Sequence, residues 1–360
     1  MKILQVIPNL EIGGAQRLIE NLLPLFKDNN EVLLVIFERT QSSIEKSLSK
    51  KGINIECLNI SKRSPKALFK LRKYFKWADI IHLHLFPTHY YSVITNIGIN
   101  KPLVFTEHST FNKRRKHGVL RSIEKFVYDK ISRVVSISEA VDFSLKSWLN
   151  ISNSSNKNII IENGINLSSF QQEDKRSSQE IFGKDGYPLL MIGRFTDSKD
   201  QDSVIRSLKY INNQKVFLVL VGDGDRGKEI ENLIKSEGAE ERVLILGERN
   251  NIPEIIHASK IGILSSHWEG FGLSAIEMMA GGLPVVASDV EGVRQIVKGA
   301  GLLFEPGDEK DLAKKINLLV SDSRYYQEIS QNCLKRAENF SINKTGKKYL
   351  SLYNSILESH

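Results

Sequence analysis

Short apolar runs alternate along the chain with amphipathic segments of helix length, the pattern of an α/β protein built on parallel sheets. In the first half, KILQVIP, EVLLVIF, INIECLNI, DIIHLHLF, PLVFTEH, RVVSIS and NIIIENG predict strands. Between the first two, AQRLIENLLPLF places Leu18, Leu22 and Leu25 at helical spacing. A second series opens at PLLMIGRF and continues through VFLVLVGDG, RVLILGE, KIGILSS, LPVVASD and GLLFEPG. Two doubly wound domains follow, residues 1–168 and 169–340, with a final helix within 341–360 lying beyond the completed second series. The polar interval 170–187, FQQEDKRSSQEIFGKDGY, is the expected linker.

The length of 360 residues suits two cores better than one. MKILQVIP reads as a buried strand rather than a signal peptide, and no apolar run approaches the roughly 18 residues of a membrane span. Cys57 and Cys333 form neither a disulfide framework nor a metal pattern, so the cytoplasm is the expected compartment. The net charge of +8 concentrates in two places. Residues 61–77 carry seven Lys or Arg and no acid, and residues 112–126 carry six against one Glu. Such segments are either solvated helix faces or a surface for anionic lipid headgroups, on the cytoplasmic side of an inner membrane. No nucleic-acid module accompanies the charge, so no nucleic-acid partner is expected.

In parallel sheets, ligands gather at the carboxyl ends of strands, and two such domains facing each other would form one cleft. Gly13 and Gly14 follow the first strand, as a phosphate cradle at a helix N-terminus or as a plain tight turn; the spacing is not GxGxxG. His108 follows PLVFTE into a loop, whereas His82 and His84 share one face of a buried strand and read as structural. Arg194 and Lys199 offer a donor fork and a point charge suited to a diphosphate. Asp223 and Asp225 could hold a divalent cation, but a glycine-rich acidic turn explains them more simply.

The stretch SHWEGFGLSAIEMMAGGLPVVASD sets Glu269 and Glu277 around a glycine-rich loop and a short helix. Ser274 with Glu277 fits a capping box, which would explain the second glutamate but not Glu269, Gly270 or Gly272. The alternative is a site where amides of residues 271–274 face phosphate and sugar oxygens while both carboxylates accept from hydroxyls.

This stretch resembles the signature of glycosyltransferase family 4, retaining enzymes of the GT-B fold. GGAQRL, FTEHS, SISEAV, IENGIN, GRFTDSKD, GDGD and FEPGD fall in the order of that family's segments along nearly the whole chain. The resemblance implies that Glu277 binds ribose hydroxyls, Arg194 and Lys199 the diphosphate, and Glu269 with the amides of Phe271 and Gly272 the transferred sugar. It places the Leu273 and Ser274 amides and Gly14 near the phosphates, and His108 against the sugar beside the reacting carbon. It also implies a terminal helix crossing back to the first domain, and transfer without metal or other cofactor. EMMA replaces the family's usual EAMA at Met278, expected to alter packing behind the ribose, and Gln295 stands where an acid is common.

The expected activity is retaining transfer of a hexose or N-acetylhexosamine from a nucleotide sugar, foremost a UDP-sugar, to a glycan acceptor. That acceptor is expected to be a lipid-linked oligosaccharide of O-antigen or capsule assembly. A nucleotide-sugar epimerase and a non-catalytic sugar-nucleotide-binding subunit are the alternatives. Donor base, sugar, linkage and oligomeric state are not legible in the chain.

Overall fold

The computed structural model describes residues 1–110, 112, 115, 118–151, 157–171 and 176–359. The chain divides into two compact units, Met1–Gly164 with Ile342–His360, and Ile165–Ser341. The first unit is a parallel sheet of Lys2–Ile7 (β1), Glu31–Ile36 (β2), Asn54–Cys57 (β3), Ile80–His84 (β4), Leu103–Glu107 (β5), Arg133–Ser136 (β6) and Asn158–Ile160 (β7). Its order is β3-β2-β1-β4-β5-β6-β7, which reverses between β1 and β4.

Alternate residues of each central strand serve opposite layers. Leu4, Val6, Ile81, Leu83 and Phe105 pack under the helices Ala67–Trp77, Val119–Asp129 and Glu139–Leu149. Ile3, Ile7, Ile80 and Val104 pack under Gly14–Lys27 and the terminal helix Ile342–Glu358. The terminal helix therefore completes the first unit, with Tyr353 edge-on to Phe26 at 5.7 Å between ring centroids.

The second unit is also a parallel sheet, formed by Tyr187–Ile192 (β8), Val216–Val221 (β9), Val243–Gly247 (β10), Ile261–Leu264 (β11), Val285–Ser288 (β12) and Leu302–Phe304 (β13). Its order is β10-β9-β8-β11-β12-β13, reversing between β8 and β11.

The interval 170–187 is not a bare linker. Residues 172–175 lie outside the described residues, but Ser178–Phe182 is a helix whose capping box joins Ser177 and Glu180. Phe182 is buried edge-on to Phe217 at 6.1 Å, which anchors this segment inside the second unit. The unit boundary accordingly falls at Gly164, four residues before the expected 168. A β-carbon at Gly164 would lie 2.6 Å from the Thr345 hydroxyl, so only glycine fits against the start of the terminal helix.

Candidate active site

Because β8 and β11 are neighbours at the reversal, the loops that follow them emerge together. Lys199 from the first loop and Glu269 from the second form an ion pair, with side chains 19% and 18% exposed. Burial pushes the Glu269 carboxyl up, but Lys199, the Gly270 amide at 3.1 Å and the Ser266 hydroxyl at 3.4 Å outweigh it and hold the group below its usual range. The Ser265 hydroxyl donates to the Lys199 and Asp200 carbonyls at 2.8 and 2.9 Å, tying one loop to the other. Lys199, expected at a diphosphate, is thus joined to the glutamate expected at the sugar.

The helix after Glu269 runs Leu273–Ala280, and its N-cap is Gly272 in the left-handed region at φ 80°. This corrects the expected capping box. Ser274 is the second helical residue and caps nothing, and no side chain caps this terminus. With no acid in the first turn, the Leu273 and Ser274 amides lie at the positive end of the helix, without a carbonyl one turn back to bond. The Phe271 ring is buried edge-on to Phe340 at 5.7 Å, leaving its amide as the polar group at that position. Glu277 is half-buried one turn into the helix, while Met278 behind it is fully buried against Gly262 of β11.

Arg194 is exposed in the loop after β8. A β-carbon at Gly222 would sit 2.1 Å from the Gly193 carbonyl oxygen, so glycine lets the loop after β9 pack backbone to backbone on the Arg194 loop. Asp223 accepts from the adjacent Gly224 amide at 2.7 Å, a turn role. Among the described residues, no group of three or more His, Cys, Asp or Glu is placed to hold a metal ion.

In the first unit, Gly14 opens the helix after β1; Gly13 is its extended N-cap, with no side-chain cap and no acid in the first turn. His108 follows β5. Its Nε2 lies 3.1 Å from His84 Nδ1, and His84 Nε2 lies 2.8 Å from Gln5 Oε1. Gln5 Nε2 donates to the Tyr353 hydroxyl at 3.2 Å, which also bonds His82 Nδ1. His82 Nε2 reaches Thr106 Oγ1 at 2.7 Å. Gln5, His82, His84 and Thr106 share the sheet face beneath the terminal helix by strand alternation and register. Burial pushes the His108 imidazole down to about 3, and burial together with the neighbouring rings holds His82 and His84 well below their usual value.

Sequence reasoning missed Gln5 and Tyr353 and set His84 aside as structural. The available signal was a glutamine inside the apolar run KILQVI, since a polar residue in a fully buried strand needs a buried partner. Ser265 and Ser266 were missed because a serine pair after a strand carries no distinctive pattern.

The profile of "Glycosyltransferase Family 4" matches residues 12–169, and that of "Glycosyl transferases group 1" matches residues 171–336. The Escherichia coli UDP-Gal:α-D-GlcNAc-diphosphoundecaprenol α-1,3-galactosyltransferase is 30% identical, over 82% of this chain and 81% of its own. A Campylobacter jejuni α-1,4-N-acetyl-D-galactosaminyltransferase, named for an undecaprenol-diphosphate-linked substrate, is 24% identical over 98% of both chains. Among solved structures, Anabaena HepE in complex with UDP and glucose superposes with a TM-score of 0.89 at 22% identity, covering 99% of this chain and 100% of that one. The fold is GT-B, and the chain belongs to the family 4, or group 1, glycosyltransferases.

Proposed function

We propose that this protein transfers a hexose or N-acetylhexosamine, with retention, from a UDP-sugar to a lipid-linked glycan in surface polysaccharide assembly. The observation that carries the donor site is the uncapped, acid-free N-terminus at Leu273 directly beyond the Lys199–Glu269 pair. Helix amides and Arg194 receive the diphosphate, Glu277 the ribose hydroxyls, and Glu269 with the Phe271 and Gly272 amides the sugar. Gly14 borders the phosphates and His108 the sugar. The anomeric carbon–phosphate oxygen bond breaks with its electron pair on the diphosphate. The acceptor oxygen bonds that carbon from the same face and gives its proton to the leaving oxygen. Arg194, Lys199 and the helix dipole offset the charge that develops, so no divalent cation is required. UDP as the nucleotide is supported by the names of the Escherichia coli relative and the HepE complex.

A lipid-linked acceptor is supported by the diphosphoundecaprenol named for the Escherichia coli and Campylobacter relatives. One helical layer of the first unit adds to it. Phe69, Ile94, Ile123, Phe126 and Phe143 on four consecutive packed helices, and Ile97 in the turn after the second of them, stand 49% to 82% exposed. Lys66, Lys70, Arg72, Lys73, Lys76, Arg121 and Lys125 are exposed on the same layer. Apolar tips among cations suit the headgroup boundary of an anionic bilayer. Arg115 does not join them, because it is buried against Glu107 at 2.9 Å; Lys113, Arg114 and Lys116 lie outside the described residues. No described helix is long and apolar enough to cross a membrane, and this layer is read as docking on the cytoplasmic leaflet.

Calorimetric titration with UDP, GDP, ADP and CMP, in the native protein and Glu277→Ala, tests the donor site. UDP-selective binding lost in the variant is expected; no nucleotide binding would favour an inert subunit. Transfer from UDP-sugars to an undecaprenyl-diphosphate-linked sugar then tests the reaction.

A further inference from the structure

The buried chain Tyr353–Gln5–His84–His108 has a direction. Gln5 presents its carbonyl oxygen to His84 and its amide nitrogen to Tyr353. A carbonyl oxygen only accepts, so His84 Nε2 carries the proton. A neutral imidazole protonated on Nε2 has its lone pair on Nδ1, and that lone pair faces His108 Nε2 at 3.1 Å. His108 Nε2 must then be the donor, leaving the lone pair on His108 Nδ1. That atom is shielded from solvent and has no hydrogen-bond partner among the described residues.

We propose that Gln5 and His84 are positioning residues that hold His108 as its Nε2–H tautomer, so that Nδ1 accepts a hydrogen bond from a sugar hydroxyl. This rests on the reading of His108 as a sugar-contacting residue. Burial of His84 in the sheet and of the His108 ring against it keeps both neutral, so the tautomer, not the charge, is the variable. The reversed arrangement requires the Gln5 amide to rotate and every donor along the chain to exchange roles. Tyr353 opposes that rotation when it donates its one proton to His82 Nδ1, because its hydroxyl is then left only to accept from Gln5 Nε2. The terminal helix thereby sets the proton position on a residue that it does not itself hydrogen-bond. A sugar lacking the hydroxyl, or carrying a group that can only accept there, is discriminated against, because a buried acceptor would lose its donor.

The test is long-range proton–nitrogen correlation NMR on full-length protein labelled with 15N in histidine, with His108 assigned by its loss in His108→Ala. The native protein is expected to show His108 protonated on Nε2 only. In Gln5→Leu the tautomers mix, and kcat falls about tenfold, the size of one lost hydrogen bond, with donor KM nearly unchanged. Gln5→Glu keeps an acceptor toward His84 and restores both the tautomer and most of kcat. Should Gln5→Leu fail to fold, Tyr353→Phe frees the Gln5 amide and is expected to mix the tautomers likewise. A native His108 protonated on Nδ1, or a tautomer unmoved in these variants, overturns the relay. If His108→Ala transfers sugar normally while the tautomers behave as stated, the sugar contact is overturned and the relay stands.

Discussion

Lys199 and Glu269, seventy positions apart, are ion partners because β8 and β11 adjoin where the strand order reverses. Removing one partner strands a mostly buried charge. Lys199→Ala is expected to cost about 1 to 3 kcal/mol, below the full penalty for a deeply buried pair because about a fifth of each side chain meets water. Lys199→Met with Glu269→Gln is expected to recover most of that loss without recovering activity. Urea unfolding of Lys199→Met, Glu269→Gln and the double variant closes the cycle, and simple additivity would show that the pair is not coupled.

The correction at the helix N-cap is directly measurable. Gly272 holds φ 80°, which costs an L-residue about 1 to 2 kcal/mol, so Gly272→Ala should lower stability by that amount. Ser274→Ala should change it by less than about 0.5 kcal/mol, since a true N-cap serine is worth about 1. A larger effect at Ser274 than at Gly272 would restore the capping box.

Stability should depend on pH through His82 and His84 in the sheet and His108 at the end of β5. His108 titrates near 3 when folded against an ordinary value of 6.5, and His82 and His84 are also depressed. Over that interval the unfolded chain binds more protons, so the contribution is complete above about pH 6.5 and is lost as pH falls toward the folded values. Each group adds a slope of about 1.4 kcal/mol per pH unit within its window. Denaturation midpoints flat from pH 7 to 5 would contradict this burial.

Glu277 and His108 should separate kinetically. Glu277→Ala is expected to raise the UDP dissociation constant about tenfold with a smaller change in kcat, as for a group that binds donor and transition state alike. His108→Ala is expected to lower kcat at least about tenfold with donor KM little changed. Steady-state rates at saturating acceptor distinguish the two patterns, and unaltered kinetics in both variants would remove these residues from the site.

Transfer should survive chelation. Activity in excess EDTA is expected to match the untreated enzyme, because in the proposed mechanism Arg194, Lys199 and the helix amides would meet the diphosphate charge. Loss in EDTA with rescue by magnesium or manganese would return Asp223 and Asp225 to consideration as ligands.

What the sequence determined by itself was everything carried by local pattern. The thirteen strands of the described residues were legible because parallel strands are short apolar runs, and a final helix was legible beyond the last strand; that it returns to the first unit was implied only by the family resemblance. The candidate motifs at strand ends were legible as glycine and charge in a fixed local order. Tertiary structure alone decided the pairings across sequence. Ser274 and Glu277 satisfied a capping pattern that Gly272 pre-empts, since backbone dihedrals do not appear in a string of residue types. Lys199 met Glu269, and Gln5 met His84 and Tyr353, only through sheet order and the packing of the terminal helix. The sequence spreads Gln5, His84, His108 and Tyr353 over almost its whole length, and strand register brings them within hydrogen-bonding distance in turn.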